Sequence, residues 1–132
     1  MATGERRVLA AVFVGGMAGA LARVWIGLHF ASGAGDWPWA TFAINVSGTF
    51  ALACLAAHLR ERPAVSIYRL PLLGIGFCGA YTTFSTMSVE TLRMIDRHGY
   101  GLAVGYSLAS VAAGLSAIWA GGVLARRIPV IR

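Results

Sequence analysis

The stretch Gly76-Phe77-Cys78-Gly79-Ala80-Tyr81-Thr82-Thr83-Phe84-Ser85-Thr86-Met87 decides the reading of this chain. It lies in the middle of an apolar segment, residues 68–95, with no polar flank that would make it a soluble loop. Yet Gly76 and Gly79 loosen the backbone. Thr82 and Thr83 are β-branched, and their hydroxyls compete for backbone groups. Hydrocarbon tolerates an unwound turn only where protein or a polar cavity satisfies it. The stretch therefore predicts a transmembrane helix broken at membrane depth, its freed carbonyls and hydroxyls facing a site, as in transporters that hold ions at broken helices. The plainer alternative is an intact helix with a Gly/Thr packing face.

The rest of the chain agrees with a membrane setting. Of 132 residues, 58% are hydrophobic and only 12% charged, and the mean hydropathy is +0.70. That balance is wrong for a soluble domain of this size. A span needs ~20 mostly apolar residues. Residues 8–30, 37–59, 68–95 and 100–124 qualify, which predicts an all-α integral membrane protein forming one four-helix domain over residues 1–132. Too little chain remains for a catalytic head, and no nucleophile, base and orienter converge, so an enzyme is not expected. The first apolar run, with Ala18-Gly19-Ala20, mimics a signal peptide, but it continues to Phe30 and reads as a retained helix.

The net charge of +6 comes from arginine alone, since the chain contains no lysine. The arginines sit near segment ends, which reads as topology and phospholipid contact rather than nucleic acid. With the N-terminus inside, Arg6, Arg7, Arg60, Arg62, Arg69, Arg126, Arg127 and Arg132 fall on the cytoplasmic side, against Arg93 and Arg97 outside. Pro63 marks the turn of the basic second loop. Cys54 and Cys78 lie in apolar segments and read as buried thiols. His29, His58 and His98 sit at segment ends, which disfavours haem.

Small and polar residues then mark the helix faces. Gly15/Gly19 and Gly16/Ala20 are small-xxx-small pairs that permit close helix contact. Arg23 lies inside the first span, where it either marks a cavity or snorkels to the interface. Thr41, Asn45 and Gly48 share one face of the second helix. Asn45, the only carboxamide, either donates to an anion or holds two helices together. Glu90 is expected to pair with Arg93 at i, i+3, with Arg23 or with a polar vestibule. Gly74-Ile75-Gly76-Phe77-Cys78-Gly79 fits G-x-G-x-x-G, but no strand or βαβ unit accompanies it, so a dinucleotide site is rejected. On the fourth helix Gly101, Gly105, Ala109, Ala113, Ala117 and Gly121 form a seam that predicts close packing over most of its length. Tyr106 and Ser110 are four apart on a neighbouring face, either a polar track or locally bonded hydroxyls.

The spans hold almost no carboxylate, which argues against a cation or proton relay. The inventory is instead one of donors: Asn45, Thr82, Thr83, Ser85, Ser110, Tyr106 and Arg23. Phe84 adds an electropositive ring edge. Such a set suits a small anion.

Over its whole length the chain resembles the CrcB/Fluc family of fluoride channels. The resemblance rests on Gly15-Gly16-x-x-Gly19-Ala20-x-x-Arg23, on Asn45-x-x-Gly48, and on Gly76-Phe77-Cys78-Gly79-x-x-Thr82-Thr83-Phe84-Ser85-Thr86. It implies a passive fluoride-selective channel in the bacterial plasma membrane, built as an antiparallel dual-topology dimer. It also implies a structural Na⁺ at the dimer centre, held by the backbone carbonyls of Gly79 and Thr82. Asn45, Phe84, Tyr106 and Ser110 match the ion pathway. There are departures: Met87 replaces a second pathway phenylalanine, Ala80 stands where glycine is usual, and Gly114 interrupts the polar track. With the arginine bias, these point to a fixed orientation and a heterodimer with an oppositely oriented paralogue as the alternative to a homodimer. A small multidrug exporter would need a carboxylate in the first span, which has none. A membrane scaffold leaves the ion-site motif unexplained.

Overall fold

The computed structural model describes residues 3–33, 35–61 and 67–127; the predicted contributions of Arg62, Pro63 and Arg132 lie outside them. Helix α1 is Thr3–His29 and α2 is Trp39–Glu61. The third span is composite. Its first part, α3, is a π-helix over Leu70–Cys78 that ends in an α-helical turn, Gly79–Tyr81. After the break come α4, Phe84–Asp96, and α5, Tyr100–Arg127.

Among the described residues, four helices are long and apolar enough to cross a membrane: Thr3–His29, Trp39–Arg60, Leu70–Asp96 and Tyr100–Arg127. They match the predicted spans to within a few residues, except that α1 starts earlier. Its polar head, with Glu5, Arg6 and Arg7, is the first turn of the helix rather than a separate segment. Its 27 residues reach about 40 Å, enough to span with charged ends in the headgroups. Helix α2 opens behind Pro38, whose carbonyl accepts the Phe42 N–H at 3.0 Å.

The α4–α5 turn closes as a Schellman motif. Gly99 N–H donates to Met94 O at 2.8 Å and His98 N–H to Ile95 O at 2.9 Å. His98 takes the left-handed conformation, φ 62°, which glycine usually occupies.

Packing divides by partner. Helix α1 lies mainly against α3, and α2 mainly against α5, which also receives α4. The α1–α3 contact is backbone on backbone. A Cβ on Gly15 would run into the Leu72 carbonyl, and one on Gly19 into that of Phe77. A Cβ on Gly76 would lie 2.6 Å from the Val12 carbonyl and 3.0 Å from Gly16 N. Close contact of this kind supplies dispersion where lipid removes the hydrophobic driving force.

The α5 seam behaves differently from its prediction. Gly121 packs tightly, with a Cβ there 2.9 Å from both Ala53 Cβ and Phe50 O. Around Gly101, Gly105 and Gly114 a Cβ would meet nothing within 4 Å. Within one protomer the glycines of this helix therefore make a close contact only at Gly121, although α2 also reaches α5 near Tyr106 through Phe42. Tyr106 is fully buried, in a cluster with Met94 and Ala103 against which Met87 and Trp37 pack.

Candidate functional site

The site begins at the break. Thr82 (φ −74°, ψ 155°) and Thr83 (φ −149°, ψ 116°) are extended, so the helix ladder stops. The Cys78 carbonyl accepts both from Thr82 N–H, at 3.0 Å, and from the Thr82 hydroxyl, at 2.9 Å. Asn45 then supplies what the ladder no longer does. Its Oδ1 accepts from Thr83 N–H at 2.8 Å and its Nδ2 donates to Thr83 O at 2.9 Å. One carboxamide thus pairs with one extended residue as a neighbouring strand would.

Thr83 also caps α4. Its Oγ1 accepts from Thr86 N–H at 3.2 Å and donates to Thr86 Oγ1 at 2.9 Å, the usual role of a threonine before a helix. These diversions have a consequence for the carbonyls. In an unbroken helix Gly79 O would accept from Thr83 N–H, and Thr82 O from Thr86 N–H. Those donors are committed to Asn45 and to the Thr83 side chain instead. The Gly79 and Thr82 carbonyl oxygens are therefore released from the ladder, and Gly79 lies exposed on the protomer surface.

The face of α2 read from the sequence meets the third span at all three of its marked residues. Asn45 holds Thr83. Thr41 Oγ1 donates to Glu90 Oε1 at 2.7 Å. Gly48 leaves room for the break, since a Cβ there would strike Thr82 Cγ2 and lie 2.9 Å from Tyr81 Cδ1.

Glu90 corrects one expectation. Its carboxylate is taken by hydroxyls, from Thr41 and from Tyr106, whose OH donates to Oε2 at 3.1 Å, rather than by Arg93 or Arg23. The i, i+3 rule describes exposed pairs, and Glu90 faces inward while Arg93 is exposed. Glu90 does reach a vestibule: a cavity of about 280 Å³ between the first loop and α4, lined by Ser32, Asp36, Thr41, Thr86, Glu90 and Arg93 among others. The Glu90–Tyr106 link was hidden from the sequence because it joins residues on two helices with no shared period.

The remaining predicted residues divide. Phe84, 77% exposed, stands on the outer face of α4 at its first turn. Met87 instead turns inward against the Tyr106 cluster. Ser110 Oγ is buried without a hydrogen-bond partner. Arg23 Nε is likewise buried and unpartnered, but α1 packs on α3 and α2 and approaches neither α4 nor α5. Arg23 is therefore not brought to the row of Asn45, Met87, Tyr106 and Ser110. The amino end of α4 lies at the break itself, with Ser85 and Thr86 exposed in its first turn. The unpaired N–H groups and positive dipole end of a helix favour an anion.

Fold and site together define a small multi-pass membrane protein of the cell membrane, organised around a discontinuous helix. The chain matches the family described as CrcB-like protein, Camphor Resistance (CrcB), over residues 10–122. It is 50% identical over 132 residues to a fluoride-specific ion channel FluC 1 of Mycolicibacterium paratuberculosis, covering 100% of both chains. It is 47% identical over 128 residues to a FluC 1 of Mycobacterium tuberculosis, covering 97% of each. With a FluC of Phenylobacterium zucineum the identity is 44%, over 92% of this chain and 98% of the other. The chain belongs to the CrcB family.

Proposed function

We propose that this chain is a fluoride-selective ion channel, passively exporting fluoride and so lowering its concentration in the cytoplasm. The observation that carries the reading is the broken third span, pinned by Asn45, with the amino end of α4 starting at the break. It occurs in a chain half identical, end to end, to a protein named for fluoride conduction. Fluoride is small and strongly hydrated, so a dry path must replace its water with N–H and O–H donors and polarised ring edges. The exposed Phe84 edge, the α4 amino end and the hydroxyls of Thr86 and Ser110 are groups of that kind. Holding Glu90 with the hydroxyls of Thr41 and Tyr106 ties its charge into the bundle. This is a conduction task, not an enzymatic one.

The working unit in this reading is an antiparallel dual-topology dimer. The outward-facing Phe84 and the exposed Gly79 lie on surface that a second copy would cover. A structural Na⁺ fits the released carbonyls of Gly79 and Thr82, since neutral backbone oxygens suit a hard cation. Bound there, it would supply fixed positive charge and tie the two breaks together. A heterodimer with an oppositely oriented paralogue is the second reading, favoured by Met87. Its inward packing leaves Phe84 as the one exposed ring on this face of α4.

The deciding experiment is fluoride efflux from liposomes holding the chain purified alone, read with a fluoride electrode, with and without Na⁺ during purification. Fast Na⁺-dependent efflux without chloride leak supports the homodimeric channel. Folded protein that conducts only after a paralogue is added supports the heterodimer. Folded protein that conducts no fluoride with any partner sinks the channel reading.

A further inference from the structure

A second cavity lies between α2, α3 and α5 at the arginine-rich end of the bundle. It measures about 450 Å³ and its wall includes Cys54, Leu55, His58, Leu73, Phe77 and Ala125. We propose that this cavity holds one acyl chain of an acidic phospholipid, with the headgroup seated on the arginines around its open end.

The wall is hydrocarbon almost throughout. The Cys54 thiol, its main polar group inside, is turned to the Gly121 carbonyl at 3.6 Å. The cavity follows α2 from Ala51 to His58, about 10 Å of helix rise. That is a slot along the membrane normal, the direction in which a lipid chain runs. Apolar cavities of this kind stay dry and take apolar occupants. Leu73 and Ala51 on its rim are exposed, so the slot opens toward lipid. The vestibule, lined by Asp36, Glu90 and Arg93, is its chemical opposite.

Charge selects the headgroup. His58 ends the slot, and Arg60 follows it by two residues on α2. Arg126 and Arg127 directly follow Ala125, and Arg69 precedes α3. Arg126 Nε is committed to the Gly122 carbonyl at 3.1 Å, which fixes its guanidinium at the helix end. The described acidic residues on this side are Glu5 and Glu61, so the surplus is positive. Juxtamembrane arginines attract anionic lipid.

The slot also has a structural connection. Its inner wall includes Cys78, the residue whose carbonyl accepts both bonds from Thr82. A bound chain therefore supports the wall of the break.

The test uses the full chain in detergent, delipidated and titrated with phosphatidylglycerol or with phosphatidylcholine of identical chains, followed by native mass spectrometry. Retention of phosphatidylglycerol well above phosphatidylcholine is expected. Arg60→Gln and Arg127→Gln should each lower that retention by up to about fivefold. Leu73→Trp, which fills the slot, should abolish it. Equal retention of the two lipids overturns the proposal, as does undiminished phosphatidylglycerol in a folded Leu73→Trp protein. Retention of neither lipid, as when a second copy closes the slot, also overturns it. The arginine variants alter exposed side chains, so they decide the matter if Leu73→Trp does not fold.

Discussion

The two halves of the third span are held in opposite ways. Helix α3 is seated by the absence of side chains: Gly15, Gly19 and Gly76 let its backbone lie on that of α1. Helix α4 is seated by polar side chains: Thr41 and Tyr106 grip Glu90, and Asn45 grips Thr83 at its amino end. The break falls where one mode gives way to the other. A single continuous helix would have to present both faces in one register. Two half-helices joined by two extended threonines can each turn to their own neighbour, α1 for the first and α5 for the second. The break is thus a packing solution as well as a source of free carbonyls.

The largest effects are expected on the glycine side. Gly15→Val or Gly76→Val places atoms inside a backbone and should cost more than ~3 kcal/mol, above the usual range for overpacking. Detergent-resistant folding, followed by unfolding in denaturant, should be lost. If either variant unfolds at the midpoint of the parent, the α1–α3 contact is not what seats α3.

Next in size is the clamp. Asn45→Leu leaves both Thr83 backbone groups unpaired, for about 2–6 kcal/mol at ~1–3 kcal/mol each. Asn45→Asp keeps the acceptor for Thr83 N–H but sets an oxygen against Thr83 O, so it should fall between Leu and the parent. Both should slow fluoride efflux, and an Asp variant equal to the parent in stability would contradict the two-point pairing.

Tyr106→Phe and Thr41→Val each remove one donor to Glu90. A loss of about 1–3 kcal/mol each is expected, since a carboxylate is left partly unpaired. A double variant should exceed either alone in the same unfolding assay.

The smallest effect sharpens the contrast within α5. Gly105→Ala meets open space in the protomer and should gain up to ~1 kcal/mol of helix propensity. Stabilisation in an isolated monomer but weakened dimerisation would mark this face as the one a second copy approaches.

Much of this could be read from residue order. Apolar run lengths located the spans, Gly79 to Thr83 located the break, and the i, i+4, i+7 spacing of Thr41, Asn45 and Gly48 identified the face of α2 that meets it. What was not legible depends on contacts across the bundle. The π-helical register of Leu70–Cys78, which packs on the glycines of α1, has no local mark beyond Gly74 and Gly76. The partner of Asn45 could not be named before the extended geometry of Thr83 was known. The vestibule beside Glu90 was among the expectations, but its hydroxyl partners were missed, because Thr41 and Tyr106 arrive from two other helices while the near neighbour Arg93 is exposed.

The interlock of Gly15 with Gly76 also sets a schedule. Gly76 is made roughly 60 residues after Gly15, which at ~5–20 residues per second is about 3–12 s of synthesis. For that interval α1 waits in the bilayer with its glycine row bare, and a neighbouring nascent chain offers the same row. Ribosome-stalled chains that end before Gly76 should therefore cross-link to one another through α1, and completed chains should not.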